Sequence, residues 1–399
     1  MLFKKVYICV LTAIIFATLI PMETEAQKIE LRSAKIYMRE QPPQYDKALS
    51  LLETALEKAP NSNEVHYLLG LLKYYRGNFA ELFKHWEVAD FDDLGKKEKN
   101  RFKDTLNSII RSNYQTGQQF YGKGEYKEAA DLYKRSVNAT SLLQDKLRST
   151  KNKKDAKTAD ELQASKEQGY LYWGYAALNS EDFDNAMLAL EKLLEVDPDK
   201  IEAWDGLINI YYTKEDWNKL ITACNKVIEF SENTDINTFL ILRNAYYGQA
   251  DTANVINTYE KAIESFPNDK TLYRDLSSIH ETRKNYDKAI EALVKGHTAL
   301  PEDTELLRYL GIRYYNKGLA VREAGNIGAA SIAFHSAIES MDKLLVLQPK
   351  SIDGNDILSD AYFGLGSIET DEGRKQEFSD KGQEYQKKKL DLITSGEGI

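Results

Sequence analysis

The sequence predicts an all-α protein, a solenoid of antiparallel helix pairs, and two observations carry that prediction. The first is a period. Tyr170, Trp204, Phe239, Tyr273 and Leu307 follow one another in steps of 34, 35, 34 and 34 residues. Seven residues on, Ala177, Tyr211, Tyr246, His280 and Tyr314 keep the same step, as do Ala186, Leu220, Val255 and Ala289. Pro198, Pro267 and Pro301 close units 69 and 34 residues apart. Such a period marks a helix-turn-helix unit that cannot bury its apolar face alone and must stack on copies of itself. The second observation is what is missing: no period-two run rich in valine and isoleucine extends beyond a few residues, so strands have no signal.

From the amino terminus, Met1 to Lys5 is short and basic, Val6 to Ile20 is apolar, and Thr24-Glu25-Ala26 ends in a small residue before Gln27. This is the layout of a secretory signal over 1–26. The apolar run is shorter than the roughly 20 residues a membrane span requires, which favours cleavage over a retained anchor. Cys9 lies inside that run, so no lipid-attachment box is evident. The expectation is an exported chain, periplasmic or secreted, with no integral span after cleavage. Residues 27–140 then carry loose repeats. Tyr45-Asp46-Lys47-Ala48 with Ala55 and Pro60 reads as a second helix, and Tyr67, Gly70, Tyr74 and Gly77 as the first helix and turn of the next unit. Gly117, Tyr121, Gly124, Tyr126, Ala129 and Tyr133 mark a third.

The rhythm breaks over 141–165, a basic connector or helix extension. Lys146, Arg148, Lys151, Lys153, Lys154 and Lys157 stand there against Asp155 alone. One reading is peripheral contact with lipid headgroups or an acidic segment; the other is a solvated helix face. Lys96 to Arg101 invites the second reading too. The main array covers 166–349. In Leu171 to Leu178, bulky and small residues alternate at three- and four-residue intervals, and Gly174 admits a neighbouring helix. Asn179 to Asp182 is a short turn that makes the two helices antiparallel. The proline after each second helix removes an amide donor and stops it. Between Pro301 and Pro349 the gap grows to 48 residues, predicting longer helices over about 304–324 and 328–347. Residues 350–399 hold a last hairpin, with a first helix over Ser359 to Thr370 and a polar closing helix over Arg374 to Ile393.

The stretch Phe183 to Pro198, with its Asp197-Pro198 stop, resembles the second helix of the tetratricopeptide repeat family. Tyr286 to Leu293 resembles it as well. The likeness is strong from about 166 to 301 and looser outside. It implies a right-handed superhelix whose concave groove is lined by first helices and binds a protein or peptide. Asn233 in place of a closing proline, and Arg243 and Ser277 in place of small first-helix residues, depart from the pattern and affect the packing angle of their units.

Composition agrees with a helical solenoid: 42% hydrophobic and 29% charged residues, eight prolines, and 25 tyrosines against four tryptophans. The formal net charge of −9 argues against nucleic-acid binding, which needs a basic surface. After cleavage Cys224 is the one remaining cysteine; flanked by Ile221 and Val227 at helical spacing, it reads as a packing residue. Catalytic signatures are missing. His280-Glu281 lacks a second histidine at zincin spacing, Gly364-Leu365-Gly366 lacks a third glycine, and no phosphate-binding loop, Cys-x-x-Cys pair or nucleophile elbow occurs. Neither an enzyme nor a cofactor or metal is expected.

Binding remains. By helical periodicity the residues facing the groove include Tyr175, Asp205, Asn209, Tyr212, Asn244, Tyr247, Arg274, Arg308 and Tyr315. Asparagine offers a donor and an acceptor to a peptide backbone, and tyrosine offers apolar area with a hydroxyl at little entropic cost. Some members of the family clamp a terminal carboxylate with lysines beside paired asparagines, but here Asp205 stands where that lysine belongs. The expected function is a non-catalytic interaction scaffold of a bacterial cell envelope. The alternatives are a carbohydrate- or small-ligand-binding protein that uses the tyrosines, and an enzyme with an unrecognised groove site.

Overall fold

In the computed structural model, residues 25–398 are described, and every regular element among them is helical. The expected signal segment lies outside the described residues except for its last two positions. Among the described residues no helix is long and apolar enough to cross a membrane. The chain forms two compact units, one ending at Ile210 and the other beginning at Tyr211.

The first unit opens with α1 (Glu25–Tyr37) and α2 (Tyr45–Lys58), followed by α3 (Asn63–Tyr75) and α4 (Phe79–Val88). Next come two long helices, α5 (Lys96–Gly122) and α6 (Tyr126–Arg148), the short α7 (Lys153–Glu161), and the pair α8 (Gln163–Asn179) and α9 (Phe183–Val196). The core of this unit is built on Leu52, Leu69, Leu72, Trp86, Phe102 and Leu106, all essentially inaccessible to solvent. Leu190 shows how closely the helices approach: a Cβ on Gly174 or Gly206 would come within 2.6 and 2.8 Å of its methyl groups. The basic segment is helical here. Helix α6 continues to Arg148, and Asn152 caps α7 by accepting from the Lys154 amide at 3.0 Å. Lys103 and Asp155 pair at 2.5 Å across α5 and α7.

Helix α10 (Ile201–Thr213) carries the boundary between the units. The second unit continues with α11 (Trp217–Phe230), α12 (Ile236–Gly248), α13 (Thr252–Ser265), α14 (Lys270–Thr282) and α15 (Tyr286–Ala299). It ends with α16 (Thr304–Glu323), α17 (Ile327–Leu347), α18 (Ile352–Ile368) and α19 (Glu372–Ser395). The longer pair expected after Pro301 is therefore α16 and α17. Helix α18 starts seven residues before the expected Ser359, because the Ser351 hydroxyl accepts the Gly354 amide at 3.1 Å and nucleates the helix there.

A shared local geometry precedes most of the second helices. The residue before the cap adopts the left-handed conformation at Gly77, Gly124, Glu181, Glu215, Ala250, Lys284 and Gly325, with φ between 53° and 81°. At five of these seven an Asx carboxylate or amide then accepts the amide three residues on, as Asp182 does from Asn185 at 3.1 Å, Asp216 from Lys219 at 3.2 Å and Asp251 from Asn254 at 3.1 Å, whereas Glu125 and Asn285 make no such bond. Each cap satisfies an amide that no helical carbonyl can reach and contributes about 1 kcal/mol. The apolar series is the packing seam: Ala186, Leu220, Val255 and Ala289 are fully buried. Cys224 is also fully buried.

A second recurring contact ties three of the first helices to the preceding stop. The side chain six residues after a proline binds that proline's carbonyl. The Trp204 indole donates to Pro198 and the Tyr273 hydroxyl to Pro267, each at 2.9 Å. His66 Nε2 makes the same contact with Pro60 at 2.9 Å. A proline carbonyl has lost its helical partner, so a side-chain donor at this spacing fixes the angle between successive units.

Candidate first-helix binding face

In the first unit, Tyr175 is half-buried and donates its hydroxyl to the Glu202 carbonyl at 2.9 Å. Burial pushes the phenol up to about 12, with Asp205 and Glu202 adding to the effect. Asp205 lies on the surface, yet the protein packed beside its carboxyl raises its pKa above the usual carboxylate range. Tyr175 and Asp205 thus share one electrostatic neighbourhood, while Asn209 is exposed on the same helix as Asp205.

In the second unit the predicted residues divide into two groups. Tyr212 and Tyr247 project into solvent, 45% and 49% exposed. Trp217 joins them: its ring meets that of Tyr212 edge-on at 6.4 Å and presses on Gly248, where a Cβ would come within 2.6 Å. This close approach fixes the end of α12, and Tyr247 with it, beside the indole. The result is an aromatic surface on a rigid support.

The other group is already engaged within the protein. The Asn244 side-chain oxygen accepts from Arg243 Nε and Nη2 at 3.2 and 2.9 Å. Arg243 also lies over the Tyr259 ring at 5.6 Å and donates to its hydroxyl at 2.8 Å. The Tyr259 hydroxyl donates onward to Asp275 at 3.3 Å, Asp275 accepts from Arg274 at 3.0 Å, and Arg274 reaches Glu305 at 3.3 Å. Arg308 pairs with Asp353 at 3.1 Å. Tyr315 is half-buried against Phe334, and burial raises its phenol. From Asn244 through Arg243, Tyr259, Asp275 and Arg274 to Glu305 the contacts form a continuous ladder, and Arg308 is paired separately.

Sequence reading missed the rungs of that ladder. Arg243 and Ser277, read as disturbances of the packing, are its fittings. Ser277 leaves room for Arg313, which is 6% exposed and donates to the Ser277 hydroxyl at 3.2 Å while pairing with Glu281 at 2.6 Å. The signal was a serine at a small position followed 36 residues later by an arginine among apolar neighbours. In the basic segment, Lys146 turns inward and donates to the Glu87 and Ala89 carbonyls at 2.8 and 2.6 Å, closing the carboxyl end of α4. That cation belongs to the fold.

Models of the tetratricopeptide repeat match residues 173–200 and 244–311, the pair α8 and α9 and the run from α12 into α16. Over these two segments the chain carries tetratricopeptide repeats. Among curated relatives, a TPR repeat-containing protein of Methanocaldococcus jannaschii is 25% identical over 299 residues, 69% of this chain and 45% of its own length. Stress-induced-phosphoprotein 1 of Caenorhabditis elegans is 22% identical over 151 residues, 36% of this chain and 45% of its own. The chain thus spans about half the length of the curated relatives it matches. Among solved structures, YrrB, described as a TPR protein with an unusual peptide-binding site, is 18% identical; the match covers 49% of this chain and 94% of YrrB, with a TM-score of 0.32. The TPR domain of P58(IPK) is 15% identical over 90% of this chain and 98% of that domain, with a TM-score of 0.30.

Proposed function

We propose that this tetratricopeptide-repeat protein is a non-catalytic scaffold that holds a segment of a partner protein against its first-helix face. The observation that carries the reading is the pairing of two exposed tyrosines, Tyr212 and Tyr247, with the rigidly seated Trp217, while the surrounding arginines and carboxylates satisfy one another. Rigid aromatic rings with a polar handle lose little entropy on binding and dominate interaction surfaces. A partner would therefore be read through apolar area and tyrosine hydroxyls, with little dependence on salt. Replacing both Tyr212 and Tyr247 with alanine should cut capture of that partner by the immobilised protein at least tenfold while leaving helicity unchanged, since both side chains are exposed. Undiminished capture overturns the placement. The amino-terminal layout supports export to a bacterial cell envelope. Protein isolated from its native cells should begin near Gln27; an intact mass that retains Met1 contradicts export by a cleaved signal.

A further inference from the structure

The first unit contains a cavity of about 580 Å³ that lies outside both segments matching the family models. Helices α1, α3 and α5 form its walls. Its floor is apolar, made by Leu68, Leu71 and Leu94, with Tyr67 beneath. Tyr67 is 3% exposed, its ring stacked on the buried indole of Trp86, and it lines the cavity. Arg101 and Glu98, both on the cavity wall, act electrostatically on the Tyr67 hydroxyl.

The rim is basic once its internal pairs are removed. Lys35 is paired with Glu64. Glu98 folds back over Gly95, where it faces the amino end of its own helix. Against the remaining acid, Asp93, stand Arg39, Lys97 and Arg101. Lys97 and Arg101 are four residues apart on α5 and share a face, and the Arg101 guanidinium lies over the Tyr75 ring at 5.6 Å while donating to its hydroxyl. That stacking holds the guanidinium in place and leaves other N–H groups to donate.

From this geometry we infer that the cavity binds a small organic anion, a carboxylate or phosphate carrying an apolar body. The body occupies the leucine floor, Tyr67 supplies a hydrogen bond at depth, and Arg39, Lys97 and Arg101 hold the anionic head at the mouth. The volume falls in the range of small-molecule sites, and an apolar lining with a few convergent polar groups is their usual composition. A largely buried tyrosine and a cluster of cations line the same cavity. The site is separate from the tyrosine surface of the second unit, so the failure of either reading leaves the other standing.

The test is calorimetric titration of the full chain with four probes: octanoate, octyl phosphate, 1-octanol and inorganic phosphate. Octanoate or octyl phosphate should bind saturably at one site, at least tenfold tighter than octanol or phosphate, and the tighter of the two identifies the head group. Lys97→Glu with Arg101→Glu, both exposed and compatible with folding, should weaken that binding at least tenfold. Tyr67→Phe should weaken it severalfold, and Leu71→Trp, which fills the floor, should abolish it with the circular dichroism unchanged. Absence of saturable binding overturns the inference. So does binding that the charge-reversal pair leaves intact, or octanol binding as tightly as octanoate.

Discussion

At the scale of residues, the histidine pair of the first unit has the most definite consequence. His66 Nδ1 and His85 Nδ1 lie 3.1 Å apart, both buried. The Pro60 carbonyl can only accept, so His66 carries its proton on Nε2 and leaves Nδ1 bare; His85 must then donate from Nδ1. Burial, and next to it the neighbouring His66, hold the pKa of His85 below the usual histidine range, with Glu81 opposing and Lys73 and Lys84 reinforcing. The neutral form is the one the fold prefers. A histidine depressed in the folded state contributes stability that is intact above its unfolded pKa near 6.5 and lost as pH falls from there toward the folded value. His280 and His297 are lowered too, chiefly by burial, so their contributions have the same sign. The thermal midpoint should therefore fall between pH 7.5 and 5.5, and His85→Gln should flatten that slope when melting is followed by circular dichroism. A slope that His85→Gln leaves unchanged rules out the pair as its source.

At the scale of elements, the close approaches between helices decide which glycines tolerate change. A Cβ on Gly70 would come within 2.1 Å of the Trp86 ring, which is fully buried, stacked on Phe102 at 4.2 Å and held by a hydrogen bond to the Tyr67 carbonyl at 2.9 Å. A Cβ on Gly311 would meet the Met341 methyl at 2.4 Å, the free end of a flexible chain. Both substitutions gain about 1 kcal/mol of helix propensity, but only the first forces a locked ring to move. Gly70→Ala should cost about 2 kcal/mol net and Gly311→Ala should be near neutral; denaturant melts of the two variants check the order, which must not reverse. The sequence reveals one kind of element and conceals another. Ala186, Leu220, Val255 and Ala289 recur because one packing position repeats, so period alone exposes the helix pairs. The amino-terminal part of helix α5 is hidden because its first turns, from Lys96 to Arg101, are polar and carry no apolar period, although Phe102 and Leu106 beyond them are fully buried. The rungs Arg243 to Tyr259 and Arg313 to Ser277 join residues 16 and 36 apart, and no local pattern encodes such pairs.

At the scale of the whole molecule, a repeated unit spreads stability over nearest-neighbour interfaces and leaves function to whichever surfaces those interfaces do not consume. In the second unit the charged residues along the first helices are largely paired with one another, while Tyr212 and Tyr247 stay exposed, and on these two the proposed partner contact rests. In the first unit the uncommitted chemistry is the basic mouth above Tyr67. The legible part of the candidate surface was the aromatic register, because tyrosine spacing follows the period. Which charges were paired depended on contacts between successive helices that the period does not report. The most direct measurement of the central claim is photo-crosslinking in the native cell, with a benzophenone amino acid replacing Tyr247 in one variant and the exposed Lys343 of α17 in another. A discrete adduct from position 247 and none from 343 is the predicted result; an adduct from 343 alone, or the same adduct from both, contradicts a partner seated on the first-helix face.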